Sequence, residues 1–245
     1  MTAATDISGR PYFRETSSLL YSYLICLPLL LLYEFLILFS QPDQDFIVRI
    51  SVDAWFKSVF TYFGLNALSF TFIIAAIAGL VILYRNKQPI RTIRKKYFAY
   101  MILEALIYAV LIAIIISNFL HSLLNLYGSA SLAQMSKLQL FALSLGAGLY
   151  EELFFRVILI SILVYILNKV FRKKQMAYFI SAIIAALLFS LVHYTGEFGD
   201  TFAIGSFLFR FLFGLALNAI FILRGFGMAA WTHALYDLLV IFGSS

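Results

Sequence analysis

The chain of 245 residues contains one cysteine, four prolines and three histidines, and only 12% of its residues are charged. The single thiol, Cys26, excludes an internal disulfide and a multi-cysteine metal site. Set within an apolar run, it reads as a buried, inert side chain. Soluble domains carry about a quarter charged residues. Charge this sparse, with a mean hydropathy of +0.95, excludes that class. Period-two alternation is also missing, which excludes an outer-membrane barrel. Lysine and arginine total 18 against 12 acidic residues, a formal net charge of +6. The cations cluster in short loops between apolar runs, where they set topology and are not a nucleic-acid-binding patch. What remains is a composition that is 63% hydrophobic, laid out in long runs without strand periodicity. It predicts an all-α fold, a polytopic membrane helix bundle of about seven to eight helices. A single integral membrane domain over residues 1–245 is expected, with the lipid bilayer as its surroundings and no nucleic acid as partner.

In chain order, residues 1–16 read as a polar cytoplasmic tail with no signal-peptide cleavage site after the first apolar run. Spans are expected at residues 18–40, 65–84, 97–119, 138–167, 176–192, 202–223 and 228–242. Residues 46–63 differ. Arg49, Asp53 and Lys57 recur every four residues and make one charged stripe, opposed by an apolar stripe of Val52, Trp55, Phe56, Val59, Phe60 and Phe63. That pattern predicts an amphipathic helix lying in the membrane interface, an anchor or a lid. The basic loops at 85–96 and 169–174 are predicted cytoplasmic. The expected location is a bacterial inner membrane, multi-pass, with the N-terminus inside. No internal repeat is visible, and neither terminus carries a lipidation motif.

Polar residues inside the spans are few, which makes them informative. An ionisable group near a bilayer centre costs at least ~2.5 kcal/mol. Glu151, Glu152 and Arg156 nevertheless fall within six positions of one apolar run. Glu152 and Arg156 are four apart and share a helix face, so they can pair. On an α-helix, Glu151 points about 100° away and is left for chemistry. The fifth span ends at His193, four residues after Phe189, and the last span carries His233 and Asp237, again four apart. Arg210 lies inside the sixth span and needs a partner. Glu34 in the first span is the candidate, with Glu151 or Glu152 as alternatives.

The patterns Glu151-Glu152-x-x-x-Arg156, Phe189-x-x-x-His193 and His233-x-x-x-Asp237, in this order and on three helices, resemble the CPBP family, also called Abi. That family contains CAAX prenyl endopeptidases and bacteriocin-processing and immunity proteins. The resemblance covers about residues 138–242, and Asp237 stands where some members have asparagine. It implies a membrane-embedded endopeptidase of the glutamate type that needs no cofactor. Glu151 would be the general base that activates water, and His193 would position or polarise that water. His233 and Asp237 would stabilise the oxyanion, and Glu152 and Arg156 would hold the helix and the base. The substrate class implied is a peptide or protein precursor at the membrane; a prenylated CAAX protein would be out of place in a bacterial inner membrane.

The residue chemistry is compatible with this reading, since peptide hydrolysis needs a base and donors aimed at the developing oxyanion. Two alternatives stay open. Glu151, Glu152, His193 and His233 also make a nitrogen/oxygen set for zinc or iron, although no His-Glu-x-x-His signature is present. A non-enzymatic immunity or scaffold protein, or a transporter, would also carry intramembrane charges. The transporter lacks the inverted repeat such proteins show.

Overall fold

The computed structural model describes residues 11–41, 48–85, 93–124 (side chains to Leu120), 135–195 and 199–243. The residues between these segments include parts of the expected tail (1–10), of the turn after the first span (42–47), of the basic loop (86–92) and of two outer loops (125–134 and 196–198). Those expectations lie outside the described residues.

Among the described residues every regular element is a helix. A short helix α1 (Pro11–Thr16) precedes α2 (Leu19–Phe39), whose N-terminus is capped by the Ser18 hydroxyl accepting from Tyr21 N–H. Then follow α3 (Ser51–Tyr62), α4 (Ala67–Arg85) and α5 (Lys96–Leu124). Helix α6 (Lys137–Gly146) opens with a capping box, Ser136 and Gln139 each accepting from the other's backbone N–H. It widens into two π-helical segments, Ala147–Glu151 and Leu153–Leu159, before returning to α-helix as α7 (Ile160–Leu167). The bundle ends with α8 (Lys174–Val192), α9 (Ile204–Arg224) and α10 (Phe226–Gly243). Gly225 alone separates the last two, with φ +90°, a left-handed conformation that glycine adopts without a side-chain penalty.

Six of these helices, α2, α4, α5, α8, α9 and α10, are long and apolar enough to cross a membrane. The run 137–167, expected as the remaining span, is helical throughout but is not among these six. It is not the plain α-helix that its sequence suggests, because its centre is π-helical. Helix α10 is central and packs against α2, α5, α6, α9 and the first π segment. Its buried face is mostly small: Gly227, Ala229, Ala230, Thr232 and Ala234 beside Met228 and His233. Small residues let helix backbones approach closely where lipid offers no hydrophobic drive. Helix α4 buries only Gly79 and presents its apolar surface outward.

Helix α3 corrects an expectation. Its charged stripe does not face the surroundings but the bundle. Lys57 donates to both Glu34 and Asp53, Arg49 donates to Glu34 (3.1 Å) and Asp53 (2.9 Å), and the Tyr33 and Tyr150 hydroxyls complete the cluster on Asp53 and Glu34. Asp53 is fully buried, while Trp55 and Val59 are 44% and 52% exposed. The physical reason is that lipid solvates an apolar face at no cost, whereas four charges are stable only against one another. Glu34 is thereby occupied, and it is not the partner of Arg210. A second cluster ties the start of the chain to the bundle. Arg224 makes a two-pronged pair with Glu104 (2.7 and 2.8 Å), and the Tyr12 and Tyr108 hydroxyls donate to the same carboxylate.

Candidate active site

Four elements deliver the site. The first π segment carries Glu151, and Glu152 stands between the two π segments, the second of which carries Arg156. The end of α8 carries His193, and α10 carries His233 and Asp237. Helix α9 adds Gly214 and Asn218. Close approach of α10 to the first π segment requires Gly148, since a Cβ there would lie 2.4 Å from the Ala230 carbonyl oxygen. The π-helical geometry falls where the chemistry is expected, in keeping with its recurrence at functional sites.

The innermost group is the pair of Glu152 and Arg156. Arg156 donates to Glu152 Oε1 at 2.8 Å, and their side chains are 0% and 1% exposed. The remaining guanidinium donors go to Asn218 Oδ1 (3.0 Å) and the Gly214 carbonyl (3.2 Å), and the Phe189 ring lies 4.6 Å beneath the guanidinium. Asn218 in turn donates to the Ala182 carbonyl. Arg156 therefore binds its own helical run to α8 and α9, each of its nitrogens satisfied. The sequence reading missed Asn218 and Gly214. A signal was present: Arg210, Gly214 and Asn218 are four apart and lie on one face of an otherwise apolar helix.

Around this anchor the predicted residues converge. Glu152 Oε1 also contacts His233 Nδ1 at 2.8 Å, so His233 donates from Nδ1 to the carboxylate. The other nitrogen, Nε2, lies 3.6 Å from Asp237 Oδ2 and 4.0 Å from Glu151 Oε2. His193 contacts the Phe189 carbonyl through Nδ1 at 2.8 Å, which fixes its hydrogen on that nitrogen. Its Nε2 is 3.9 Å from Glu151 Oε2. Phe189 stacks edge-on against both imidazoles, with centroids 5.0 and 5.7 Å away. Glu151 Oε2 is buried and has no hydrogen-bond partner among the described residues. Burial is graded across the site: Glu151 is 10% exposed, but His193 and Asp237 are 25% and 28% exposed. The site thus opens on the side of His193 and Asp237. Separately, a cavity of about 440 Å³ opens between α3 and α4. Arg49 and Lys57 are among its lining residues, and Glu151 and the histidines are not.

The family model described as type II CAAX prenyl endopeptidase, Rce1-like, matches residues 133–239. Over that segment the chain is similar to Rce1-like proteins. The match agrees with the resemblance to the CPBP family that the three motifs carry. No curated protein and no solved structure matches the chain. The Rce1-like segment contains all six residues expected at the site and both residues that the structure adds to it. It leaves out α1 to α5, and with them the charged cluster on α3. The description of that family is of endopeptidases, and the match falls on the half of this multi-pass helical bundle that holds its polar centre. Among the described residues no three His, Cys, Asp or Glu side chains are grouped closely enough to hold a metal ion. The separations of 3.9 and 4.0 Å around Glu151 exceed the roughly 3.4 Å between ligand atoms of a tetrahedral zinc with bonds near 2.0–2.1 Å.

Arg210 belongs elsewhere than expected. It donates to Asp200, just beyond α8, and its guanidinium sits 5.1 Å from the Tyr194 ring centroid. The candidates Glu34, Glu151 and Glu152 are not its hydrogen-bond partners. The correction is geometric: Arg210 lies only six residues into α9, near the end of the span, where a loop carboxylate reaches it more readily than one on α2.

Proposed function

We propose that the protein is an intramembrane endopeptidase in which Glu151 activates water for attack on a peptide bond, without a metal. The observation that carries this reading is the position of Glu151 Oε2, buried, unpartnered, and 3.9 and 4.0 Å from the Nε2 atoms of two histidines on different helices. Those distances are too long for direct hydrogen bonds and short enough for one water to touch all three groups.

The tautomers assign roles. His193 holds its hydrogen at Nδ1 on the Phe189 carbonyl, so its Nε2 offers a lone pair. A water lying between Glu151 and His193 donates one hydrogen to each, and its oxygen lone pair is directed at the scissile carbonyl. Glu151 takes the proton as the carbon–oxygen bond forms, and later delivers it to the leaving amide nitrogen. His233 uses its Nδ1 hydrogen on Glu152, so a doubly protonated ring is required for Nε2 to donate to the oxyanion. Asp237, with Oδ2 at 3.6 Å from Nε2, orients that ring, and as a carboxylate it would balance the ring's charge. Glu152 and Arg156 position both the base and His233.

The family description concerns CAAX prenyl endopeptidases. For this chain the substrate proposed is a peptide or protein precursor at the membrane, in a bacterial inner membrane with the N-terminus inside. The deciding experiment compares membrane proteomes of cells carrying the wild-type or the Glu151→Gln protein at equal abundance. Cleavage products present only with the wild type support the reading. Identical peptide sets would remove it in favour of a scaffold or immunity role. Loss of cleavage on chelation with restoration by zinc would replace the mechanism by a metal-dependent one.

A further inference from the structure

Beside His193, two buried donors have no acceptor among the described residues. Arg210 stands one turn before Gly214 on the face of α9 that carries Gly214 and Asn218 to Arg156. At 1.5 Å per residue this places it about 6 Å along the helix from Gly214. Its Nη2 donates to Asp200, but its Nη1 is buried and has no hydrogen-bond partner among the described residues. The Tyr194 ring lies beneath the guanidinium, and the Tyr194 hydroxyl is likewise buried and unpartnered. Tyr194 directly follows His193, and the Asp200 N–H donates to the His193 carbonyl at 2.9 Å. The segment that holds Arg210 is therefore anchored on His193.

An unsatisfied buried donor is costly, more so when charged, and native proteins contain few. Two of them side by side, at the edge where the site opens, form a receptor for an acceptor group. The chemistry of that group follows from the donors. A guanidinium edge binds a carboxylate through charge-assisted hydrogen bonds, and a phenol adds a neutral one. Asp200 compensates the arginine only from the wetter side, being 43% exposed against 20% for Arg210. The buried side keeps its preference for an anion. We propose that Arg210 and Tyr194 form a subsite that binds a carboxylate of the peptide substrate beside the scissile bond.

This proposal rests on the peptidase reading and narrows the substrates to peptides presenting a carboxylate close to the cleaved bond. The carboxylate is either the C-terminal one or an Asp or Glu side chain. The test uses the full-length Glu151→Gln protein in detergent, so that binding is read without cleavage. Its probes are three pools of short fluorescent peptides. The first has free C-termini and no acidic residue, the second has amidated C-termini and no acidic residue, and the third has amidated C-termini and one interior Asp or Glu. Retention of the first or third pool about tenfold over the neutral second pool is expected, and which one is retained identifies the source. Adding Arg210→Gln should abolish the preference, and adding Tyr194→Phe should reduce it a few-fold. Equal retention of the three pools, retention of none, or a preference that survives in folded Arg210→Gln protein overturns the subsite. If Arg210→Gln does not fold, Tyr194→Phe decides, and an unchanged preference there overturns it. Cleavage of the same pools by wild-type protein is scored separately. Cleavage without a carboxylate preference removes the subsite alone, whereas binding preference without cleavage removes the peptidase reading and leaves the subsite.

Discussion

At the scale of single residues, the two adjacent glutamates each keep one buried oxygen without a partner among the described residues, and they differ in what the rest of the carboxylate touches. Glu152 is sealed and shared between Arg156 and His233, while Glu151 turns an unpartnered oxygen toward two histidines. Glu151→Gln keeps the shape of the side chain and removes only the base. Turnover is expected to fall by at least about 10²–10⁴-fold, with an unchanged thermal unfolding midpoint. A lowered midpoint would place Glu151 in the structural class. Arg156→Ala has the reverse signature. It leaves a fully buried carboxylate with only His233, and it also removes contacts to Asn218 and Gly214. Such uncompensated buried charges cost about 3–5 kcal/mol, so the protein should unfold earlier in a detergent–denaturant titration, any fall in turnover coming together with that loss of stability. His233→Ala should reduce turnover by about 10²–10³-fold, the range for an oxyanion donor. A change in KM without a change in kcat would instead mark His233 as a substrate-binding group.

At the scale of elements, legibility in the sequence divides along a physical line. Helix positions and pairs within one helix were readable. Helix α8, expected from 176, begins at Lys174 and ends at Val192 as expected, and the Glu152–Arg156 pair forms because i,i+4 neighbours meet whatever surrounds them. Ion-pair partners across helices were not readable, although the convergence of Glu151, His193 and His233 was. Arg210 was expected on Glu34 and sits on Asp200, and the charged stripe of α3 was found but not the side it faces. Periodicity marks the two faces of a helix. Which face is buried depends on the solvent, and in lipid the apolar face is the one left outside. The π-helical centre of the run 137–167 has no composition of its own to reveal it. Its consequence is testable through Gly148. A Cβ at this position would meet the Ala230 carbonyl at 2.4 Å and Ala234 Cβ at 2.7 Å, whereas one at Gly214 meets Phe189 and Ala186 at 3.2–3.3 Å. Gly148→Ala should therefore cost about 1–3 kcal/mol and lower turnover by displacing His233 on α10 from Glu151. Gly214→Ala should be milder on both counts. Thermal unfolding and turnover of the two variants give the comparison, and the reverse ranking would mean that α10 does not set the catalytic distance.

At the scale of the whole molecule, the question is which side of the membrane the reaction centre faces. Helix α8 is 19 residues long, about 28 Å, close to the thickness of a bilayer's hydrocarbon core. Lys173 and Lys174 lie at one end of it and His193 at the other. If the basic loops are cytoplasmic, as the excess of cations predicts, then His193, Asp200 and Arg210 lie toward the outer surface. The exposed side of the site, at His193 and Asp237, would then receive substrate from the outer half of the bilayer. Thiol labelling of intact cells tests this directly, because the only native thiol, Cys26, is buried and should stay silent. Lys173→Cys should resist a membrane-impermeant maleimide until the cells are opened. Thr201→Cys, at an exposed position beyond α8, should react from outside. The opposite pattern would invert the bundle and place the reaction centre on the cytoplasmic side. Labelling of both positions in intact cells would mean that α8 does not span the membrane, and the burial of Glu151 would then have to be explained without lipid.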